Sequence, residues 1–148
     1  MTFDRTHIKS IQKTVDALNE RFDFNSTLDF FKVASYDGQR LVIWGSSDFT
    51  THHSLELVFE KVLFFKGDFE WSRNDEKELI TADDITTDPV NFKMKFMLES
   101  DGYYFSNSNH KIEIHAQDLS YDTSVVLYFY KDVLAPGEKI ASWVKRNS

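Results

Sequence analysis

Residues 92–98 read Phe92-Lys93-Met94-Lys95-Phe96-Met97-Leu98, with Phe92, Met94, Phe96 and Leu98 alternating with Lys93, Lys95 and Met97. A period of two sends successive side chains to opposite faces, so this stretch predicts a strand with one face on a core. Downstream, Glu99-Ser100-Asp101-Gly102 reads as a turn, residues 103–106 as a returning strand, and Asn107-Ser108-Asn109 as a second turn. Ile112 and Ile114 around Glu113 begin the next strand. Residues 125–130 are almost continuously β-branched or aromatic, the pattern of a central strand covered on both faces. Pro136-Gly137-Glu138 is expected to open a short helix with Ile140, Trp143 and Val144 on one side.

Upstream the same logic applies. Residues 28–36 and 39–45 read as two strands joined by Asp37-Gly38, a pair suited to a tight hairpin in which both central residues take positive φ. Leu55, Leu57 and Phe59 alternate with Glu56, Val58 and Glu60. The phase blurs across Val62-Leu63-Phe64-Phe65, where a bulge or burial of both faces is expected, and resumes at Phe69 and Trp71. Residues 72–89 are the least hydrophobic: 78–81 read as a short strand, and Thr81-Ala82-Asp83-Asp84 as a turn or one-turn helix start. Asp88-Pro89 marks a boundary, because proline pushes the preceding residue out of the helical region.

One segment has a different period. Ile8, Ile11, Val15 and Leu18 recur at spacings of three and four, with Lys9, Lys13, Asp16 and Glu20 between them. That is an amphipathic helix over residues 5–21, ending before Asn25-Ser26. The expected fold is therefore α+β: an antiparallel, meander-like curled sheet or partial barrel of about eight strands. An N-terminal amphipathic helix and a short C-terminal helix complete one domain over residues 1–148.

Composition bounds the chemistry. At 148 residues the chain suits one domain with a sizeable core. The absence of cysteine removes disulfides, thiolate metal sites and thiol nucleophiles together. The net charge of −7 argues against a surface that tracks a phosphate backbone. The N-terminal residues show no signal-peptide core and the longest apolar runs have strand length, so the expectation is a cytoplasmic chain without a membrane span.

No catalytic constellation emerges. The five glycines never cluster into a phosphate-binding loop, and Gly45-Ser46-Ser47-Asp48 lacks the second glycine of a nucleophile elbow. Adjacent His52 and His53 must point to opposite faces of a strand. His110 and His115, five apart, are also split, so no local histidine pair exists and neither metal nor cofactor is expected.

The charge is concentrated. Residues 68–88 hold Asp68, Glu70, Asp75, Glu76, Glu78, Asp83, Asp84 and Asp88 against Arg73 and Lys77, so this segment alone carries six net negative charges. Such a block keeps a protein soluble, and it can also steer a basic partner. With Trp71 beside it as an aromatic anchor, the sequence favours a small protein-binding module of the inhibitor, immunity or adaptor kind. Its expected partner surface is Asp68, Glu70, Trp71, Asp75, Glu76, Glu78, Asp83 and Asp84. The alternative is a carrier or weakly catalytic protein enclosing a small apolar ligand, with Trp44, Tyr104 and His115 as the polar groups of its pocket. Monomer and dimer are both open.

Overall fold

The computed structural model describes residues 5–23, 28–73, 78–87, 91–100 and 111–145. Helix α1 (Arg5–Arg21) forms where the three-and-four spacing predicts it. Its stripe of Ile11, Val15, Leu18 and the following Phe22 is buried in the main core. Among the described residues no helix is long and apolar enough to cross a membrane.

Among the described residues twelve short strands follow: β1 (Phe30–Tyr36), β2 (Leu41–Ser46), β3 (His52–His53), β4 (Leu55–Glu60), β5 (Phe64–Lys66) and β6 (Glu70–Ser72). Then come β7 (Ile80–Asp84), β8 (Met94–Glu99), β9 (Lys111–Ala116), β10 (Asp118–Asp122), β11 (Val125–Leu127) and β12 (Glu138–Ile140). They make three open sheets of order β10-β4-β2-β1-β6, β5-β9-β8-β7 and β12-β11-β3. All pairings are antiparallel except β11 with β12. The coarse expectation of an α+β chain dominated by antiparallel sheet therefore holds, but the sheets do not close into a barrel.

The two larger sheets meet at a corner. The chain of β9 passes through Gln117 into β10, and that of β4 turns at Lys61, whose φ is 54°, towards β5. Gln117 N donates to Glu60 O at 3.1 Å and Leu63 N to His115 O at 2.8 Å, so the two chains stay paired around the bend. This bend is why the alternation blurs across 62–65: the same chain serves two sheets. Between the sheets Phe59 and Phe96 meet edge-on, with ring centroids 5.2 Å apart. Phe31, Ile43, Leu55, Leu57, Ile80, Ile112 and Ile114 fill the space around them.

Three local expectations need correction. Residues 136–144 form no helix. Gly137 takes a φ of 83°, outside the right-handed helical region, and the chain turns there with Glu138 N donating to Ala135 O at 3.0 Å. Residues 138–140 then become β12, held parallel to β11. A helical spacing over seven residues offers too few hydrogen bonds to offset nucleation, and the strand partner wins. Thr81-Ala82-Asp83-Asp84 is strand, not turn, with Ile80 and Ala82 inward and Asp83 and Asp84 exposed. At Asp37-Gly38 only Gly38 has positive φ (98°), and the loop runs to Arg40. Asp37 Oδ1 accepts from Gln39 N and Arg40 N, at 3.0 and 2.7 Å, so the aspartate side chain builds the turn. Those bonds hold its carboxyl below the usual aspartate range.

Residues 125–130 also behave differently from one long central strand. Only β11 is strand, central in the small sheet, and Phe129 is exposed. The strand expected at 103–106 lies outside the described residues.

The helix completes an edge. Strand β7 ends its sheet, and Asn19 on α1 treats Ile80 as a neighbouring strand would: Asn19 Nδ2 donates to Ile80 O at 2.8 Å and Ile80 N to Asn19 Oδ1 at 3.0 Å. Ile80 is wholly buried, so Asn19→Ala strands a peptide N–H and C=O away from water. The expected loss is about 2 kcal/mol in urea unfolding, and an unchanged midpoint would contradict the cap.

Candidate functional site

The acidic block maps onto two sheet edges. Asp68 and Glu70 flank Phe69 along the edge formed by β6, where Phe69 O accepts from Val33 N at 2.7 Å. All three side chains are exposed, Phe69 by 77%. Glu70 lies opposite Lys32 of β1. Glu78 is exposed just before β7, and Asp83 and Asp84 are exposed on that strand, the edge of the four-stranded sheet. Charged edge strands resist pairing with a second copy, which is one physical use for these carboxylates. Asp75 and Glu76 lie outside the described residues.

Trp71 is not part of that surface. Only 4% of it is exposed, and its ring stacks on Phe31 at 5.7 Å and 14° inside the core. Alternation in β6 turns Trp71 inward and Glu70 outward. The exposed aromatic of the acidic edge is Phe69.

The ligand set Trp44, Tyr104 and His115 is dispersed. His115 belongs to the four-stranded sheet, where its Nε2 meets Glu113 Oε2 at 2.7 Å and its ring lies 4.6 Å from Phe64. Tyr104 lies outside the described residues. Trp44 sits on the face of β2 turned away from the core, between Lys32 of β1 and Glu56 of β4 in the strand register.

A different cluster forms around Trp44. His53 stacks on it at 4.0 Å and 10°, and Trp143, 56% exposed, lies 6.0 Å away at 23°. Tyr128 packs against both His53 and Trp143. Lys32 Nζ stands 5.5 Å from the Trp44 ring and 4.7 Å from Phe49, within cation–π range. His52 and His53 do separate as expected: His53 turns in and His52 remains half-buried.

His53 is hydrogen-bonded at both nitrogens, Nδ1 to Tyr128 Oη at 2.7 Å and Nε2 to Glu56 Oε2 at 3.2 Å. A carboxylate only accepts, so Nε2 carries the proton, and Nδ1 of the neutral ring accepts from the Tyr128 hydroxyl. Burial pushes His53 below the ordinary histidine range, Glu56 opposes this, and Lys139 and Lys32 reinforce it. Burial, helped by Glu56, pushes the Tyr128 phenol up to about 12. Both groups are therefore neutral near pH 7, and the chain Tyr128–His53–Glu56 has one satisfied proton arrangement. With the His53 side chain only 2% exposed, this chain joins elements of the fold instead of presenting a base to solvent.

Comparison of the chain with protein-family models, curated proteins and solved structures finds no match.

Residues 53 and 128 are 75 positions apart, and the pairing of β3 with β11 brings them together. Their one local signal is Glu56, three residues after His53. Among the described residues no group of three or more His, Asp or Glu side chains is placed to hold a metal ion.

Proposed function

We propose that this protein is a binding module for a basic protein, acting as an inhibitor, an immunity-type partner or an adaptor. The observation that carries the reading is the segment Asp68-Phe69-Glu70, a highly exposed aromatic between two exposed carboxylates. An exposed phenylalanine costs solubility unless something covers it, and an interface anchor of this kind is covered on binding. The flanking carboxylates and the net charge of −7 favour a partner of opposite sign and speed its approach. Glu78, Asp83 and Asp84 add to that field.

A photoreactive phenylalanine analogue at position 69 tests this in the cells that make the protein. The expected product is a cross-link to one basic protein, lost at high salt and in the Asp68→Lys/Glu70→Lys variant. The same probe at Tyr121, exposed on β10 at the other end of the five-stranded sheet, is expected to give none. Equal cross-linking from both positions, or none from 69, would overturn the reading.

A further inference from the structure

Residues 125–144 meet the body along a narrow strand pairing. Strand β11 pairs with only two residues of β3, and Tyr128 N adds one bond to Thr51 O at 2.8 Å. Lys139 and Asp122 make an exposed ion pair at 3.8 Å, too loose and too wet to hold a segment. Val126, Leu127 and Ala141 are buried, yet none belongs to the main core cluster. Weakly anchored units of this kind open without global unfolding. Tyr128 and Trp143 add a ring cluster against Trp44.

His53 is the joint of that cluster. It bonds Tyr128 of the terminal segment on one side and Glu56 of the five-stranded sheet on the other, while its ring lies on Trp44. We propose that residues 125–144 form a flap latched onto the outer face of the five-stranded sheet by neutral His53, and that protonation of His53 releases it.

The chemistry follows from the two nitrogens. A proton added at Nδ1 turns that atom from acceptor to donor, so the Tyr128 hydroxyl must reverse and its hydrogen loses its acceptor. The imidazolium is then enclosed with Lys139 and Lys32 as like charges and with the Glu56 carboxylate opposing them. Asp122 also feels the His53 charge from β10. Opening brings the ring to water, together with the Trp44 indole N–H, which is buried without an acceptor in the closed form. The closed form thus binds the proton more weakly than the open one. Closure is fully stabilised above the ordinary histidine value of about 6.5 and weakens as pH falls towards the lower value of the closed form. The device is independent of what the acidic edge binds.

Hydrogen exchange of the full-length protein, corrected for intrinsic rates and compared at about pH 7.5 and about pH 5.5, reads the flap directly. Amides of β11, β12 and Ala141 are expected to lose protection at the lower pH by a factor of up to about ten, the most that one histidine can contribute over this interval, while those of β2 and β4 keep theirs. Tyr128→Phe retains the ring and removes the donor, so it is expected to lower flap protection at about pH 7.5 with β2 and β4 unchanged. His53→Gln, where it folds, is expected to abolish the pH dependence. Equal flap protection at the two pH values, or a parallel loss in β2 and β4, would overturn the latch. Where His53→Gln does not fold, the wild-type contrast and Tyr128→Phe decide.

Discussion

Phe59→Ala is expected to cost roughly 3–5 kcal/mol of unfolding free energy. Phe59 is wholly buried on β4 just before the corner, and its ring meets the edge of Phe96 from the facing sheet. Truncation removes the transfer energy of the ring and leaves a cavity that neither sheet can close, because each is pinned by its own ladder. Domains of this size are stable by about 5–15 kcal/mol, so the variant approaches the limit of folding. Urea unfolding followed by far-UV circular dichroism measures the change. A loss below about 1 kcal/mol would mean that the sheets do not share one core.

Trp71→Ala is expected to cost a similar roughly 3–5 kcal/mol, whereas Phe69→Ala stays within about 0.5 kcal/mol of the parent. The two aromatics are two residues apart beside the same carboxylates. Trp71 is buried against Phe31, and Phe69 stands in solvent. Of the Trp71 loss, about 1 kcal/mol belongs to ring stacking on Phe31 and the rest to burial and the cavity. The same two variants separate folding from recognition. Phe69→Ala is expected to weaken partner binding at full stability, and Trp71→Ala to lose both together. Thermal unfolding of both variants measures the contrast, and a stable Trp71→Ala protein would place that ring outside the core.

How far the sequence reaches depends on how local the signal is. The helix over 5–21 and the alternation of 92–98 are set by residues within one or two turns or pleats, and both elements stand where the periodicity places them, α1 at Arg5–Arg21 and β8 at Met94–Glu99. The C-terminal segment misleads for the same reason. Ile140, Trp143 and Val144 carry a helical spacing, but the competing partner is β11, whose hydrogen bonds no local pattern announces. Trp71 fails differently. Parity puts it on one face of a strand, and the acidic neighbours point to a surface, but only the position of Phe31 shows which face is covered. The joint at His53 is least legible, since seven described strands, β4 to β10, separate β3 from the β11 strand that brings Tyr128 to it.

Charge is legible as composition and not as placement. The block over 68–88 reads as one acidic run, yet its described members divide between the edges of two sheets, Asp68 and Glu70 on one and Glu78, Asp83 and Asp84 on the other. Edge position explains part of their value, since carboxylates there oppose pairing between copies. It does not explain an exposed Phe69 between two of them, and that residue is the reason a binding role is preferred here to solubility alone.

Native mass spectrometry of the protein, purified gently at low ionic strength from the cells that make it, tests that role most directly. The expected result is a complex with one basic protein that dissociates as salt rises, and that is absent when Phe69→Ala is combined with Asp68→Lys and Glu70→Lys. A bare monomer, or an adduct only with a small molecule, from the unaltered protein would contradict it.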